Sequence, residues 1–194
     1  MTYKIWLQAY LKHPLRLGAI LPSSAALGSL MVKHINSDTN GPILELGPGT
    51  GSFTRALLRQ GISEKNLVLV EQSQEFVQLL KTFFPKATIV CKDAKQVTQL
   101  SYELGIKEFD EIVSGLPLNA INHEQRRFIC NESFKLLKPG GSFVQVSYLP
   151  RCSIPNDVIS KNSAEKMYCG VTFANIPPAF VWRAQKRQCI PSCE

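Results

Sequence analysis

Long apolar runs are missing from this sequence. No window of its 194 residues comes near the roughly 18 consecutive apolar residues that a membrane-spanning helix needs. The first residues also lack the uninterrupted apolar core and the small-residue cleavage site of a secretory signal peptide. From these two absences we expect a protein of the cytoplasm or of the cytoplasmic face of a membrane.

Paired cysteine motifs are missing as well. The chain has six cysteines but no Cys-x-x-Cys spacing, and the closest pair, Cys189 and Cys193, stands in a short tail. A structural zinc site or a disulfide framework normally depends on regular spacings. We therefore expect reduced thiols, several of them small core residues, and no metal.

The first part of the chain has no acidic residue. Residues 1–37 contain four lysines and arginines, and the first carboxylate is Asp38. A second basic group lies at 183–187, within a net charge of +7. A basic surface of this kind suits anionic polymers or anionic lipid surfaces, and charge alone does not choose between them.

Strand-like and helical segments alternate along most of the chain. The sequence predicts strands within 41–51, 66–73, 87–94, 109–117 and 142–149, and helices at 52–61, 74–84, near 95–105 and at 123–137. Short apolar strands separated by helices favour a mostly parallel sheet covered on both faces, an α/β fold. Residues 167–186 are typical of two strands joined by a proline-containing turn, which adds an antiparallel element at one edge. With 44% apolar residues and no linker, residues 1–194 are expected to form a single domain.

The most informative segment is "ELGPGTG" (45–51), which follows the first predicted strand. A Gly-x-Gly-x-Gly turn lets bare backbone approach a ligand and presents amides at the start of a helix. The dinucleotide-binding fingerprint needs Gly-x-Gly-x-x-Gly, and this spacing closes one residue earlier. Glu45 places an acid where a diphosphate would be repelled and a cationic ammonium attracted. A glycine-rich turn without a ligand is the alternative.

Two further acids follow the next two predicted strands. Glu71 ends the second strand, where a carboxylate can accept both hydroxyls of a ribose. Asp93 ends the third, where a carboxylate can bind an adenine amine. Each acid alone could be only a helix cap. Because the carboxyl ends of parallel strands share one edge, three acids beside a glycine loop predict a nucleoside ligand.

Together these segments resemble the S-adenosylmethionine site of the Rossmann-like class I methyltransferases. The resemblance implies a seven-stranded, mostly parallel sheet with an antiparallel edge strand, and S-adenosylmethionine as cofactor with S-adenosylhomocysteine as product. It assigns the glycine loop to the methionine part, Glu71 to the ribose, and Asp93 with Ala94 to the adenine. The expected cofactor-binding residues are Glu45, Gly47, Gly49, Thr50, Gly51, Glu71, Gln72, Asp93, Ala94, Ser114, Gly115 and Leu116.

A narrower resemblance covers nearly the whole chain. The stretches "WLQAYLKHPLRLGAILPSS", "LELGPGTGSFTRALL", "VSGLPL", "LLKPGGSFVQVSY" and "PPAFVWR" are similar to the bacterial phospholipid N-methyltransferases. This resemblance implies successive methylation of the amine of phosphatidylethanolamine toward phosphatidylcholine, at the inner face of the cell membrane. The same region more distantly resembles the rRNA adenine dimethylases.

Residues 1–24 are expected to form an amphipathic helix followed by a lid segment. Basic residues on one stripe and aromatic residues at its border fit an element on an anionic membrane surface. The residues expected to meet the membrane are Lys4, Trp6, Tyr10, Lys12 and Arg16. The alternative is a helix that packs on its own domain, and both can hold. By resemblance Pro22, Ser23 and Ser24 help to close the pocket, although either serine could simply cap the next helix.

The substrate end is expected around the segment "SGLPL" (114–118). Methyl transfer to an amine requires positioning and a neutral nitrogen, so a phenol or carbonyl oxygen could orient the acceptor. Tyr148 and His123 are the candidate catalytic residues, and Pro117, Leu118, Asn119 and Arg151 are the candidate substrate residues. Arg151 could pair with a lipid phosphate. A structural tyrosine and a solvated arginine are the alternatives.

Three functions compete. Nucleic-acid adenine N6-methyltransferases carry Asn/Asp-Pro-Pro-Tyr or Asn-Leu-Pro-Tyr after the fourth strand, where the aromatic ring stacks on the base. Here the segment "SGLPL" (114–118) keeps the Leu-Pro but lacks both the Asn and the Tyr, which favours a lipid amine over nucleic acid. A non-catalytic binding protein that keeps the fold is the third possibility, and the intact glycine loop argues against it.

Overall fold

The computed structural model describes residues 23–175 and 177–188. The expected amphipathic helix lies outside these residues, with Lys4, Trp6, Tyr10, Lys12, Arg16 and Pro22. Its membrane contact, and the expectation of a single domain over residues 1–194, therefore stay predictions.

Seven strands form one sheet. They are β1 Ile43–Leu46, β2 Leu67–Glu71, β3 Thr88–Cys91, β4 Phe109–Ser114, β5 Leu137–Ser147, β6 Ala164–Thr172 and β7 Ala179–Lys186. Their order across the sheet is β3-β2-β1-β4-β5-β7-β6. The strands from β3 to β5 pair in parallel, and β7 is antiparallel to both β5 and β6. The predicted sheet, with its antiparallel element at one edge, is confirmed.

Within residues 23–175 and 177–188, six α-helices cover the two faces of the sheet. They are α1 Ala25–Val32, α2 Ser52–Arg59, α3 Gln74–Phe83, α4 Val97–Glu103, α5 His123–Lys135 and α6 Asn156–Lys161. One hydrophobic core contains Leu27, Leu57 and Leu80 from α1–α3, and the other contains residues of α4–α6. Because β1 and β2 are buried along their whole length, their sequences are continuous apolar runs broken only by glutamates.

The chain reverses its direction across the sheet between β1 and β4. β1 pairs with β2 on one side and with β4 on the other. Helices connected to these two strands leave on opposite faces, which opens a crevice at the carboxyl ends of β1 and β4. This crevice positions the site described below.

Two local features differ from the sequence-based expectation. The predicted bounds leave the segment "KPGG" (138–141) between a helix and a strand, whereas in the structure it belongs to the start of β5. The β4–β5 register shifts beside it, between Phe109 and Glu111. Helix α6 has no counterpart among the predicted helices. Among the helices of the described ranges, none has the length and apolar character needed to cross a membrane.

Candidate functional site

A cavity of about 320 Å³ opens at the carboxyl ends of the parallel strands. Its wall includes the glycine loop after β1, the ends of β2 and β3, the turn after β4 and the end of β5. The lining residues that the sequence predicted are Ser23, Gly47, Gly49, Thr50, Glu71, Gln72, Asp93, Ala94, Gly115, Leu116, Pro117 and Tyr148. Residues that follow separate strands therefore meet in one crevice.

The glycine loop takes a backbone conformation that side chains disfavour. Gly47, Gly49 and Gly51 have φ angles of 68°, 54° and 79°. A Cβ atom on Gly49 would meet no protein atom within 4 Å, so this residue faces open space in the cavity wall. Gly51 precedes α2, whose first amides have no side-chain cap. The loop thus presents bare backbone to a ligand, and the uncapped first turn of α2 lies beside it.

Glu71 braces this loop from the neighbouring strand. Its Oε2 accepts a hydrogen bond from the Gly49 amide at 3.0 Å, and its Oε1 accepts one from the Ser73 amide at 2.9 Å. Burial raises the pKa of the Glu71 carboxyl, while these backbone donors oppose that shift. One carboxylate therefore holds the glycine loop in place and also lines the cavity.

Glu45 lies beneath the loop and does not line the cavity. Its side chain is 0% exposed, and its Oε2 accepts a hydrogen bond from the Thr54 hydroxyl at 2.7 Å. Oε1 has no hydrogen-bond partner among the described residues. Burial raises the pKa of Glu45 to about 7, against the opposing effect of Thr54. A buried carboxyl with an unused oxygen beside the loop fits a cationic group bound through water.

Replacing Glu45 by glutamine should stabilise the protein above neutral pH. Because the pKa rises from 4.5 to about 7 on folding, the folded protein holds a proton that the unfolded chain has lost between those values. Stability conferred by this group therefore falls as the pH rises through that window. The variant should exceed the wild type by about 2–3 kcal/mol at alkaline pH, because glutamine stays neutral. Urea denaturation at about pH 5 and about pH 8 measures how the free energy of unfolding of the wild type and of the variant changes with pH. An equal change in both proteins would contradict the raised pKa of Glu45.

Asp93 combines a capping role with a place in the wall. It is the N-cap of the short 3-10 helix Ala94–Gln96 and accepts a hydrogen bond from the Lys95 amide at 2.8 Å. Its other oxygen pairs with Lys95 Nζ at 3.2 Å. The helix-cap alternative is thus realised, and Asp93 and Ala94 still line the cavity.

The turn after β4 packs directly on the glycine loop. A Cβ on Gly115 would lie 2.7 Å from the Gly47 carbonyl oxygen, so only glycine permits this approach. Leu116 and Pro117 line the cavity, whereas Ser114 is buried and accepts a weak hydrogen bond from the Leu116 amide at 3.4 Å. The expectation that Leu118 faces the pocket is wrong. Leu118 is 1% exposed and packs in the core against α4–α6, because the tight turn directs it inward.

Tyr148 lies at the mouth of the cavity, where the end of β5 meets the segment before α1. Burial raises the pKa of its phenol, and a hydrogen bond with Ser23 opposes that shift. Ser24 caps α1 by accepting a hydrogen bond from the Leu27 amide at 3.1 Å. The two adjacent serines therefore have different roles: Ser23 lines the cavity, whereas Ser24 is the N-cap of α1.

The other expected substrate residues lie elsewhere. His123, Asn119 and Arg151 line a second cavity of about 300 Å³, on the other side of the turn after β4. His123 is exposed at the first position of α5. The structure therefore places the two candidate catalytic residues in different cavities, Tyr148 in the first and His123 in the second.

Several lining residues were missed by sequence reasoning. They are Pro48, Ser52, Phe53, Val70, Phe76, Lys92, Lys95, Ile121, Gln125, Ile129 and Val146. Five of the eleven are apolar residues of helices and strands, whose period assigns them to a core. Lys92 and Lys95 lie close to Asp93 in the sequence, and this proximity could have indicated that they also line the cavity. In the described ranges no group of three or more His, Cys, Asp or Glu side chains could hold a metal ion.

Comparison with known proteins gives a family match over the strands that build the cavity. A family model described as a methyltransferase domain matches residues 43–141, about half of the chain. The ornithine lipid N-methyltransferase of Singulisphaera acidiphila is 26% identical over 182 residues, which cover 90% of this chain and 91% of that protein.

Solved structures share the same fold. The N-methyltransferase NodS of Bradyrhizobium japonicum, in complex with S-adenosyl-L-homocysteine, superposes with a TM-score of 0.61 and 19% identity, covering 81% of this chain and 83% of its own. An O-methyltransferase of Bacillus cereus, also in complex with S-adenosylhomocysteine, superposes with a TM-score of 0.64 and 16% identity, covering 96% of this chain and 90% of its own. At these identities the similarity concerns the fold alone.

Proposed function

This chain belongs to the class I S-adenosylmethionine-dependent methyltransferases, and we propose that the group it methylates is the amine of a membrane lipid, with phosphatidylethanolamine as the substrate. S-adenosylmethionine is its methyl donor. When bound, this cofactor supplies an electrophilic methyl group on a sulfonium, which a neutral amine nitrogen can displace.

The cavity supports an assignment of residues to the parts of the donor. We assign the loop from Gly47 to Gly51 to the methionine part, with Glu45 beneath it attracting the ammonium. Glu71 accepts the ribose hydroxyls with the lone pairs that Gly49 and Ser73 leave free. Asp93 and Ala94 form the adenine end. The unpartnered Glu45 oxygen and the open space at Gly49 are the features that fit this ligand.

The observation that carries the lipid proposal is the composition of the turn after β4. Leu116 and Pro117 line the cavity there, Gly115 stands at the position of the Asn of such motifs, and no aromatic ring follows. A flipped base has no stacking partner on such a turn. The similarity to an ornithine lipid N-methyltransferase over nine-tenths of the chain also supports a lipid substrate. That relative's substrate also carries its amine on a lipid.

The acceptor nitrogen has to be neutral before it can attack. An alkyl ammonium has a pKa near that of lysine, so the reactive fraction is small and must be captured in the right orientation. Tyr148 suits this role because burial keeps its phenol neutral. Its oxygen can accept a hydrogen bond from an amine N–H and direct the lone pair into the cavity. The proton itself leaves to water, since the raised pKa keeps the Tyr148 phenol protonated at neutral pH and leaves no phenolate to act as a general base.

Tyr148→Phe should lower the turnover number for lipid methylation about tenfold, the effect of losing one orienting hydrogen bond. The affinity for S-adenosylmethionine should stay unchanged, because the phenol contacts the acceptor. Ser23→Ala, which removes the partner of the phenol, should give a smaller loss. Initial rates and calorimetry separate the two quantities. A weakened donor affinity with a normal turnover number would contradict this role.

We extend the proposal to location at the inner face of the membrane. The acid-free segment of residues 1–37 supports it, because each basic residue near an anionic surface contributes about 1 kcal/mol. Methylation in vesicles with and without anionic lipid tests this contact. Equal rates in both vesicles would argue against it.

The substrate class is tested by offering the purified protein labelled S-adenosylmethionine together with three acceptors. These are phosphatidylethanolamine vesicles, ornithine lipid vesicles and rRNA. Label in the phosphatidylethanolamine fraction supports the proposal, and label in ornithine lipid alone moves the substrate to that amine. Label only in rRNA would favour the nucleic-acid alternative and overturn the lipid proposal.

A further inference from the structure

We propose that the second cavity binds an oxyanion of the lipid headgroup, the phosphate or carboxylate that accompanies the methylated amine. This inference rests on the proposed lipid substrate. The cavity has a volume of about 300 Å³ and lies at the carboxyl ends of β4 and β5. Its polar wall includes Asn119, His123, Arg126, Arg151, Ser153 and Asp157.

Two hydrogen-bond donors in this wall have no partner among the described residues. They are the hydroxyl of Ser153, whose side chain is 2% exposed, and the buried Nε of Arg126. A buried donor left without an acceptor costs free energy, so a site that keeps two of them favours a ligand that supplies acceptors. An oxyanion offers several acceptor oxygens at once. The guanidinium groups of Arg126 and Arg151 match phosphate and carboxylate geometry.

The acidic residue of the wall does not cancel this charge. Asp157 Oδ2 pairs with Arg127 on the outer side of α5, at 2.7 Å. The wall keeps Arg126 and Arg151 without a carboxylate partner among the described residues. Within the described part of the chain, the Arg126 guanidinium makes one long hydrogen bond, to the side-chain amide oxygen of Asn119 at 3.5 Å. Its charge is therefore available to a ligand.

The position of the cavity suits a headgroup that carries both an amine and an anion. Along the turn after β4, Pro117 and Ile121 line the donor cavity while Asn119 lines the second one. Asn119 donates a hydrogen bond to the Ser147 hydroxyl at 2.9 Å, and Ser147 directly precedes Tyr148 in the chain. An amine at Tyr148 and an oxyanion at Arg126 would therefore lie on the two sides of one short turn.

The inference predicts a loss that depends on the substrate's anion. Arg151→Gln changes an exposed side chain and should leave the fold intact, and Arg126→Gln is the companion variant. Each should raise the KM for phosphatidylethanolamine about tenfold, as expected for one charge-assisted contact. The KM for a long-chain alkylamine without an anion, presented in uncharged micelles, should not change. Arg59→Gln removes the same charge from α2 on the opposite face of the sheet and serves as the control. An equal loss for both substrates, or no loss, would overturn the inference.

A direct binding measurement separates this inference from the proposed function. Soluble glycerophosphoethanolamine should bind the wild type and lose affinity in Arg126→Gln and in Ser153→Ala. If the wild type methylates no lipid but this binding pattern holds, the proposed lipid activity fails and the oxyanion site stands. Binding of inorganic phosphate without glycerophosphoethanolamine would show a free phosphate site and overturn the headgroup assignment. Ornithine lipid, in place of phosphatidylethanolamine, distinguishes a carboxylate from a phosphate.

Discussion

Replacing Glu71 by glutamine should reduce the affinity for S-adenosylmethionine by about 100-fold or more, the loss expected from two hydrogen bonds to a charged group. The carboxylate accepts hydrogen bonds from the amides of Gly49 and Ser73, so one oxygen holds the glycine loop that faces the cavity and the other holds the start of α3. Glutamine keeps the size but turns an N–H₂ donor toward one of these amides. The variant therefore loses the loop brace and the ribose acceptor together.

Calorimetric titration with S-adenosylmethionine measures this effect. Glu75→Gln is the matched control, because Glu75 is exposed on α3 four residues further along and its replacement removes the same charge. The control should bind the donor normally. Unaltered donor affinity in the Glu71 variant would refute the assigned role of this carboxylate.

Gly49→Ala should also weaken donor binding by about two orders of magnitude while the protein still folds. A Cβ at this position would meet no protein atom within 4 Å, so the methyl group enters the cavity space rather than the core. The φ angle of 54° adds a backbone cost of about 1–2 kcal/mol for a residue with a side chain. The expected loss of affinity comes from the excluded ligand, and the small loss of stability comes from the backbone.

Gly105→Ala separates these two effects. Gly105 has a similar φ of 67°, and a Cβ added there would also meet no protein atom within 4 Å. Unlike Gly49, it is exposed after α4 and outside the cavity. Both variants should lose similar stability in thermal denaturation. Only the Gly49 variant should lose affinity for S-adenosylmethionine. Equal affinity in the two variants would contradict the assignment of the glycine loop to the methionine part of the donor.

The donor half of the site could be predicted from sequence because its determinants are local. Positive φ angles require glycine, and a strand followed by an acid places that acid at one edge of a parallel sheet. Gly47, Gly49, Glu71 and Asp93 follow these rules and line the cavity. The helix cap at Ser24 is another local feature that the sequence indicates.

The acceptor half depends on how a turn directs each side chain. Leu118 follows Pro117 in a tight turn whose backbone closes from Leu118 N to Leu116 O, and this turns its side chain into the core. Asn119 and His123 end in the second cavity for the same reason. No short-range pattern in the sequence encodes these directions. Ser153 precedes helix α6, which the sequence analysis did not predict, so no sequence pattern indicated that its hydroxyl is buried.

The most direct test of the central claim is the fate of the methyl group. Protein and phosphatidylethanolamine vesicles are incubated with S-adenosylmethionine that carries an isotope label in its methyl group, and the extracted lipid is analysed by NMR. We expect a labelled methyl on the headgroup nitrogen with the wild type and much less label with Glu71→Gln. Label that stays out of the lipid, or appears equally with both proteins, would rule out lipid methylation at this site.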